Sequence, residues 1–217
     1  MVLAATDGHS AQTLVYLHLL EKIRSGQLPG GTHIVSATVA DELGVSRIPV
    51  REAIRQLATE GFLQLRSNRG AIVTSLSREQ IVELCEIRSV LEGLAMVHAS
   101  TQMKQREFAE AELALQRLAA AGSDIDWFVR AHEQFHDVFL TNCGRPQLVN
   151  EIKRQYTVFE PYLRINLRRS PTALKNTVAE HADLLEVVKK GGQSVVETST
   201  RQHIMRMDLQ EILNGFT

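Results

Sequence analysis

A chain of 217 residues, 44% of them hydrophobic, can bury one large core or two modest ones and is excluded from the disordered class. Its net charge of −1 gives no overall attraction to nucleic acid, so such a partner must be met by a local basic face. Two distant cysteines without partner spacing, no apolar run near the roughly 18 residues of a membrane span, and an N-terminus without signal-peptide order predict a soluble, cytoplasmic protein with no membrane partner.

The first element is a helix. Leu14, Leu17, Leu20 and Ile23 recur at helical spacing, and Pro29-Gly30-Gly31 ends the segment. A short helix is expected from Ser36 to Leu43, closed by Gly44. A third begins at Ser46, carries Val50, Ile54 and Leu57 on one face, and ends at Gly61. Phe62–Leu65 and Ala71–Thr74 then read as strands joined by a hairpin through Arg66-Ser67-Asn68-Arg69-Gly70. Three helices followed by a hairpin is the order of a winged helix-turn-helix. Everything after Ser77 reads as helix, over about 77–99, 103–121, 124–141, 146–169, 172–190 and 193–214, with Pro161 predicting a kink. The expected fold is therefore mainly α: a winged helix-turn-helix over residues 1–76 and an antiparallel bundle of about six helices over 77–217.

The third helix has the chemistry of a DNA reader. Between Val45 and Gly70 stand five arginines and two acids. Arg47, Arg51 and Arg55 recur every four residues and share one face beside the apolar stripe. A guanidinium fork takes guanine O6 and N7 together or clamps a phosphate. Ser46 caps the helix, Gly44 permits the sharp turn before it, and Pro49 sits near the start, where it costs no hydrogen bond. Arg66 and Arg69 tip the wing. A merely solvated arginine face is the alternative, and the agreement of turn, cap and hairpin argues against it.

In the helical half, His132-Glu133-Gln134-Phe135-His136 spells the HExxH motif of zinc proteases. A protease would also need a third ligand in a second motif and an open, water-bearing cleft with Glu133 as base. Glu151 and Glu160 are available, but neither lies in such a motif. Two further histidines offer another account. His181 lies ten residues before Gly191 and His203 eleven after Gly192, so an antiparallel turn at the glycines brings both to the same height. With His132 and His136, three or four imidazoles can converge, a set that suits Zn, Ni or another divalent metal. Satisfied or surface histidines are the alternative.

Ile23–Gly30, Val39–Arg47 and Pro49–Ala53, continued by Leu57, Glu60-Gly61-Phe62 and Arg69-Gly70-Ala71, resemble the GntR family of bacterial regulators over nearly all of residues 14–75. The resemblance implies that Arg47 and Arg51 contact operator bases or phosphates, and that Arg69 and Gly70 enter the minor groove. Ala37 departs from the pattern, since several relatives carry a DNA-contacting arginine there. Residues 78–214 resemble the all-helical sensing domain (FCD) of the FadR-type subgroup, through Arg88 with Glu92, Phe135-His136, Glu180-His181 and His203. That likeness implies a divalent metal held by three histidines and by the residue four before His136. Relatives place Asp or Asn at that position; here it is His132, which tilts the metal towards Zn, with Ni as the alternative. It further implies a small carboxylate effector, to which Arg88 pairs while Arg164 or Arg168 lines the same cavity. A salt bridge to Glu92 is the competing role for Arg88.

Together these readings predict a homodimeric repressor, not an enzyme, that binds a palindromic operator in double-stranded DNA under the control of an organic acid at the metal. A purely structural metal with a different effector is one rival, and an HExxH hydrolase the other.

Overall fold

A computed structural model describes residues 10–66, 70–169 and 172–206. By its internal contacts the chain divides into two units, Met1–Ser77 and Arg78–Thr217.

The first unit holds α1 (Ala11–Arg24), β1 (His33–Ile34), α2 (Ser36–Leu43), α3 (Arg47–Thr59), β2 (Leu63–Arg66) and β3 (Gly70–Val73). Ser10 opens α1 by accepting a hydrogen bond from the Thr13 backbone N–H at 3.2 Å, which satisfies one of the orphan donors of the first turn. The buried face of α1 is Val15, Leu19, Leu20 and Ile23, while Leu17 is 47% exposed. Of the periodic leucines, Leu17 is thus turned away from the core. The helix also stops at Arg24, well before Pro29, with Gly26 in the left-handed region at φ 79°. Gly44 adopts φ 66° and closes α2, and the sharp turn it permits sets α3 across α2. Val50, Ala53, Ile54 and Leu57 of α3 are buried against Val15, Leu19 and Val39 in one core. Each large side chain so buried contributes about 1.5–3 kcal/mol.

The three strands form an antiparallel sheet in the order β1-β3-β2. β1, two residues long, is too short to leave a pattern in the sequence, yet it pairs His33 with Ile72 and Ile34 with Ala71. Across the hairpin Arg66 lies opposite Gly70.

The described residues of the second unit form six helices: α4 (Arg78–Gln102), α5 (Gln105–Ala120), α6 (Ile125–Asn142), α7 (Pro146–Arg169), α8 (Ala173–Lys190) and α9 (Gln193–Arg206). α7 runs as one helix through Pro161, the position of the expected kink. Asp124 caps α6 by accepting from the Trp127 N–H at 2.9 Å. α4 runs through the bundle and meets α6, α7, α8 and α9, so residues on its inner face reach side chains from four other helices. Phe128, Phe135, Phe139 and Phe159 are fully buried and fill the space around those contacts. Among the described residues, no helix is long and apolar enough to cross a membrane.

Candidate functional sites: an arginine-faced helix and a histidine cluster

The two units carry separate chemistry. On α3, Arg47, Arg51 and Arg55 are all exposed, opposite the buried Val50-Ile54-Leu57 face. Arg55 is already joined to Glu52 at 2.8 Å, so Arg47 and Arg51 carry more of the available charge. Ser46 occupies the N-cap position, but its side chain makes no capping hydrogen bond, contrary to expectation. The first-turn N–H groups of the helix therefore have no side-chain cap, an arrangement suited to a phosphate. Beside these residues Ile48 is 73% exposed, the most exposed of the large apolar side chains among the described residues. Reading for charge passed over it, because an isolated isoleucine in a sequence looks like core.

On the wing, Arg66 is exposed at the end of β2, while Arg69 lies outside the described residues. Gly70 has a structural role in addition to the expected groove contact. At φ 81° any added Cβ would lie 2.4 Å from the Ile34 carbonyl oxygen, so only glycine lets β3 pair with β1 there.

In the bundle, α6 turns His132 and His136 inward from successive turns, and α8 and α9 bring His181 and His203 to meet them. The His181 and His203 rings are 4.5 Å apart between centroids, as equal distances from the Gly191-Gly192 turn require. His136 Nε2 stands 3.0 Å from His181 Nε2, and one nitrogen from each of His132, His136 and His181 falls within a 4.8 Å set. His203 lies outside that set, although its ring stacks 5.8 Å from that of His136. The Nδ1–H of His181 donates to the Thr177 carbonyl at 2.6 Å. This bond holds the proton on Nδ1 and leaves the Nε2 lone pair facing its neighbours, as a ligating histidine needs.

Burial works on all four rings in one direction. It lowers the pKa of His181 from 6.5 to about 4. It also drives His132, His136 and His203 well below their usual value, helped by the neighbouring imidazoles. Four neutral imidazoles at neutral pH are four potential lone-pair donors. Glu133, by contrast, is exposed and does not join the set formed by His132, His136 and His181.

Arg88 of α4 is 3% exposed. Its Nε and Nη2 donate to the same Glu92 oxygen at 2.9 and 2.7 Å, the ion pair that competed with an effector role. Phe159 covers the guanidinium at 4.3 Å and fixes its plane. The remaining nitrogen, Nη1, is buried with no hydrogen-bond partner among the described residues. An unmatched charged donor of this kind is costly unless something outside the chain completes it. Arg88 and all four histidines border one cavity of about 140 Å³.

The other two arginines expected there are placed differently. Arg164 is buried but turned to Glu160 and Asp126, and Arg168 is exposed; neither borders the cavity. α7 contributes Leu163 and Asn166 instead.

A winged helix-turn-helix with an arginine-faced recognition helix, followed by an all-helical domain around a histidine cluster, defines a DNA-binding regulator. Residues 11–73 match the bacterial regulatory proteins of the gntR family, and residues 83–206 match the FCD domain. The chain belongs to the GntR family and carries an FCD domain as its second half.

It is 27% identical over 189 residues to the probable D-xylose utilization operon transcriptional repressor of Paenarthrobacter nicotinovorans, covering 86% of this chain and 82% of that one. It is 26% identical to the HTH-type transcriptional repressor RspR of Escherichia coli K12, over 82% of this chain and 78% of that one. Among solved structures, E. coli McbR/YncC aligns with a TM-score of 0.76 at 21% identity, covering 96% of this chain and 100% of the other. The relatives are transcriptional regulators rather than enzymes.

Proposed function

We propose that this regulator is a homodimeric repressor whose operator affinity is set by a small carboxylate bound at a metal in the histidine cluster. The observation that carries the reading is the free Nη1 of Arg88 on the same cavity as His132, His136, His181 and His203. Two nitrogens each about 2.1 Å from a tetrahedral ion stand about 3.4 Å apart, and His136 Nε2 and His181 Nε2, at 3.0 Å, lie close to that separation. The buried Nδ1 of His203, with no hydrogen-bond partner among the described residues and Glu180 at 3.8 Å, adds a further donor near the set. An all-nitrogen donor set favours Zn, with Ni as the alternative. Because the cavity reaches the rings, a position towards it stays open for an exogenous oxygen, which supports an effector-binding metal over a closed structural one. When bound, the ion supplies a Lewis-acidic anchor for carboxylate oxygens, and Arg88 holds the acid by a charge-assisted hydrogen bond.

At the other end, Arg47 and Arg51 read base edges or phosphates in the major groove, and Ile48 meets a thymine methyl. Arg66 with Arg69 and Gly70 brings the wing to the minor groove. A palindromic operator calls for two copies. The exposed Ile87, Val90 and Leu94 of α4, at helical spacing, form an apolar stripe that suits a second copy of the bundle. An acid that binds two arrangements of the dimer unequally changes DNA affinity by that difference.

The test is metal analysis of the purified protein followed by operator gel shifts with and without carboxylates. A metal-free protein that takes up no Zn, or operator binding indifferent to every acid tried, would overturn the proposal.

A further inference from the structure

The cavity beside the histidines contains a second unmatched group. Asn166 of α7 is 5% exposed, and its Oδ1 is buried with no hydrogen-bond partner among the described residues. An unpaired acceptor is costly, as is the unpaired Nη1 donor of Arg88, which borders the same cavity. The two groups are complementary in kind: Arg88 lacks an acceptor and Asn166 lacks a donor. A plain carboxylate satisfies the first and leaves the second unmatched. We infer that the cavity selects a hydroxy acid, with Asn166 as the specificity residue that accepts the hydroxyl proton. This inference rests on the carboxylate reading above and narrows it.

Three observations support the hydroxyl. The cavity encloses about 140 Å³. An apolar cavity of about 150 Å³ holds a six-carbon ring, so a ligand of roughly six to ten heavy atoms fits. Asn176 and Thr177 also border the space, and Glu180 is the only carboxylate among the described lining residues. Such a wall suits a short, oxygen-rich acid better than an alkyl chain. An ammonium group is also a donor; the two cations bordering the space, Arg88 and Arg206, outnumber its one carboxylate, Glu180, and disfavour a further cation. A hydroxyl meets Asn166 without that repulsion.

The probes are matched pairs of acids that differ by one hydroxyl: glycolate and acetate, lactate and propionate, malate and succinate. Alanine serves as the amino counterpart of lactate. Each is titrated calorimetrically into the Zn-supplemented full-length protein and into Asn166→Leu, which keeps the volume and removes the acceptor. The hydroxy member is expected to bind about tenfold more tightly than its partner in the native protein. In Asn166→Leu that preference is expected to disappear, with the weaker acid unaffected.

Equal affinities within every pair in the native protein would overturn the inference while leaving the carboxylate reading standing. A preference that survives in Asn166→Leu would assign it to chelation by the metal and overturn the role of Asn166. Alanine binding as well as lactate would overturn the choice of hydroxyl. If no acid binds the native protein, the carboxylate reading falls and takes this inference with it. Should Asn166→Leu fail to fold, Asn166→Ala carries the same comparison.

Discussion

His181 Nδ1 lies 2.6 Å from the carbonyl oxygen of Thr177, one turn earlier on α8, and this bond decides which nitrogen of the ring faces the cluster. A ring oriented from behind loses little freedom on ligation, which is how outer-sphere hydrogen bonds raise metal affinity. Replacing His181 by alanine should lower Zn affinity by more than about 100-fold, since even loss of an outer partner costs roughly 10–100-fold. Metal content by mass spectrometry after dialysis against a weak chelator measures it. Full retention of metal in both His181→Ala and His136→Ala would exclude the cluster as the site.

Acid should destabilise the metal-free bundle. The His181 pKa is lowered from 6.5 to about 4, and those of His132, His136 and His203 are also lowered. Between those values the unfolded chain binds protons that the folded chain refuses, so stability is complete above about pH 6.5 and falls as the pH drops towards about 4. His181 alone accounts for roughly 3 kcal/mol. Urea unfolding of the chelator-treated protein at about pH 7.5 and about pH 5 should show the midpoint falling with acid. A midpoint that rises on acidification would contradict the burial of neutral rings.

The wing makes its own demand. Gly70→Ala places a methyl 2.4 Å from the Ile34 carbonyl and requires a left-handed residue with a side chain. It should destabilise the winged domain by more than about 1 kcal/mol and weaken operator binding. Zn content, set in the other unit, should not change. Calorimetry and metal analysis of the same preparation separate the two effects.

Legibility differed along the chain for a physical reason. Gly44, the apolar face of α3 and the glycine turn before α9 are local features, and each appeared in the structure where spacing placed it. The roll of a helix about its own axis is not local. In α1 the periodic leucines identified a helix but not its buried face: Leu17 is exposed, and Val15 and Leu19 pack in the core. In α7 Arg164 and Arg168 share one face, but the cavity takes Leu163 and Asn166, about 200° round from the arginines in the case of Asn166. Which face wins depends on Glu160 and Asp126 capturing Arg164, a contact reaching 38 residues along the chain that no local pattern records. β1 escaped notice because two residues carry no period.

Self-association should depend on α4. Val90 and Leu94 are each 47% exposed, and charging both as Val90→Lys with Leu94→Lys leaves the buried face of the helix untouched. The double variant should sediment as a monomer and bind operator more weakly, because each half-site then binds alone. Unchanged sedimentation as a dimer would move the interface elsewhere.

The last expectation concerns how α3 reads DNA. Arg51 is exposed and joined to no core residue, so Arg51→Ala should leave the fold intact and lower operator affinity about 10- to 100-fold. Ile48 makes a separate prediction. At 73% exposure its side chain is largely uncovered, and a thymine C5-methyl is the apolar feature of a major groove. With an operator selected from random duplexes, replacing thymine by uracil removes that methyl and nothing else. One position per half-site should lose roughly three- to fivefold in affinity, the value of burying a single methyl group. Ile48→Ala should bind both duplexes equally, at the weaker level. If uracil is tolerated everywhere in the half-site, Ile48 reads no methyl, and specificity lies with Arg47 and Arg51 alone.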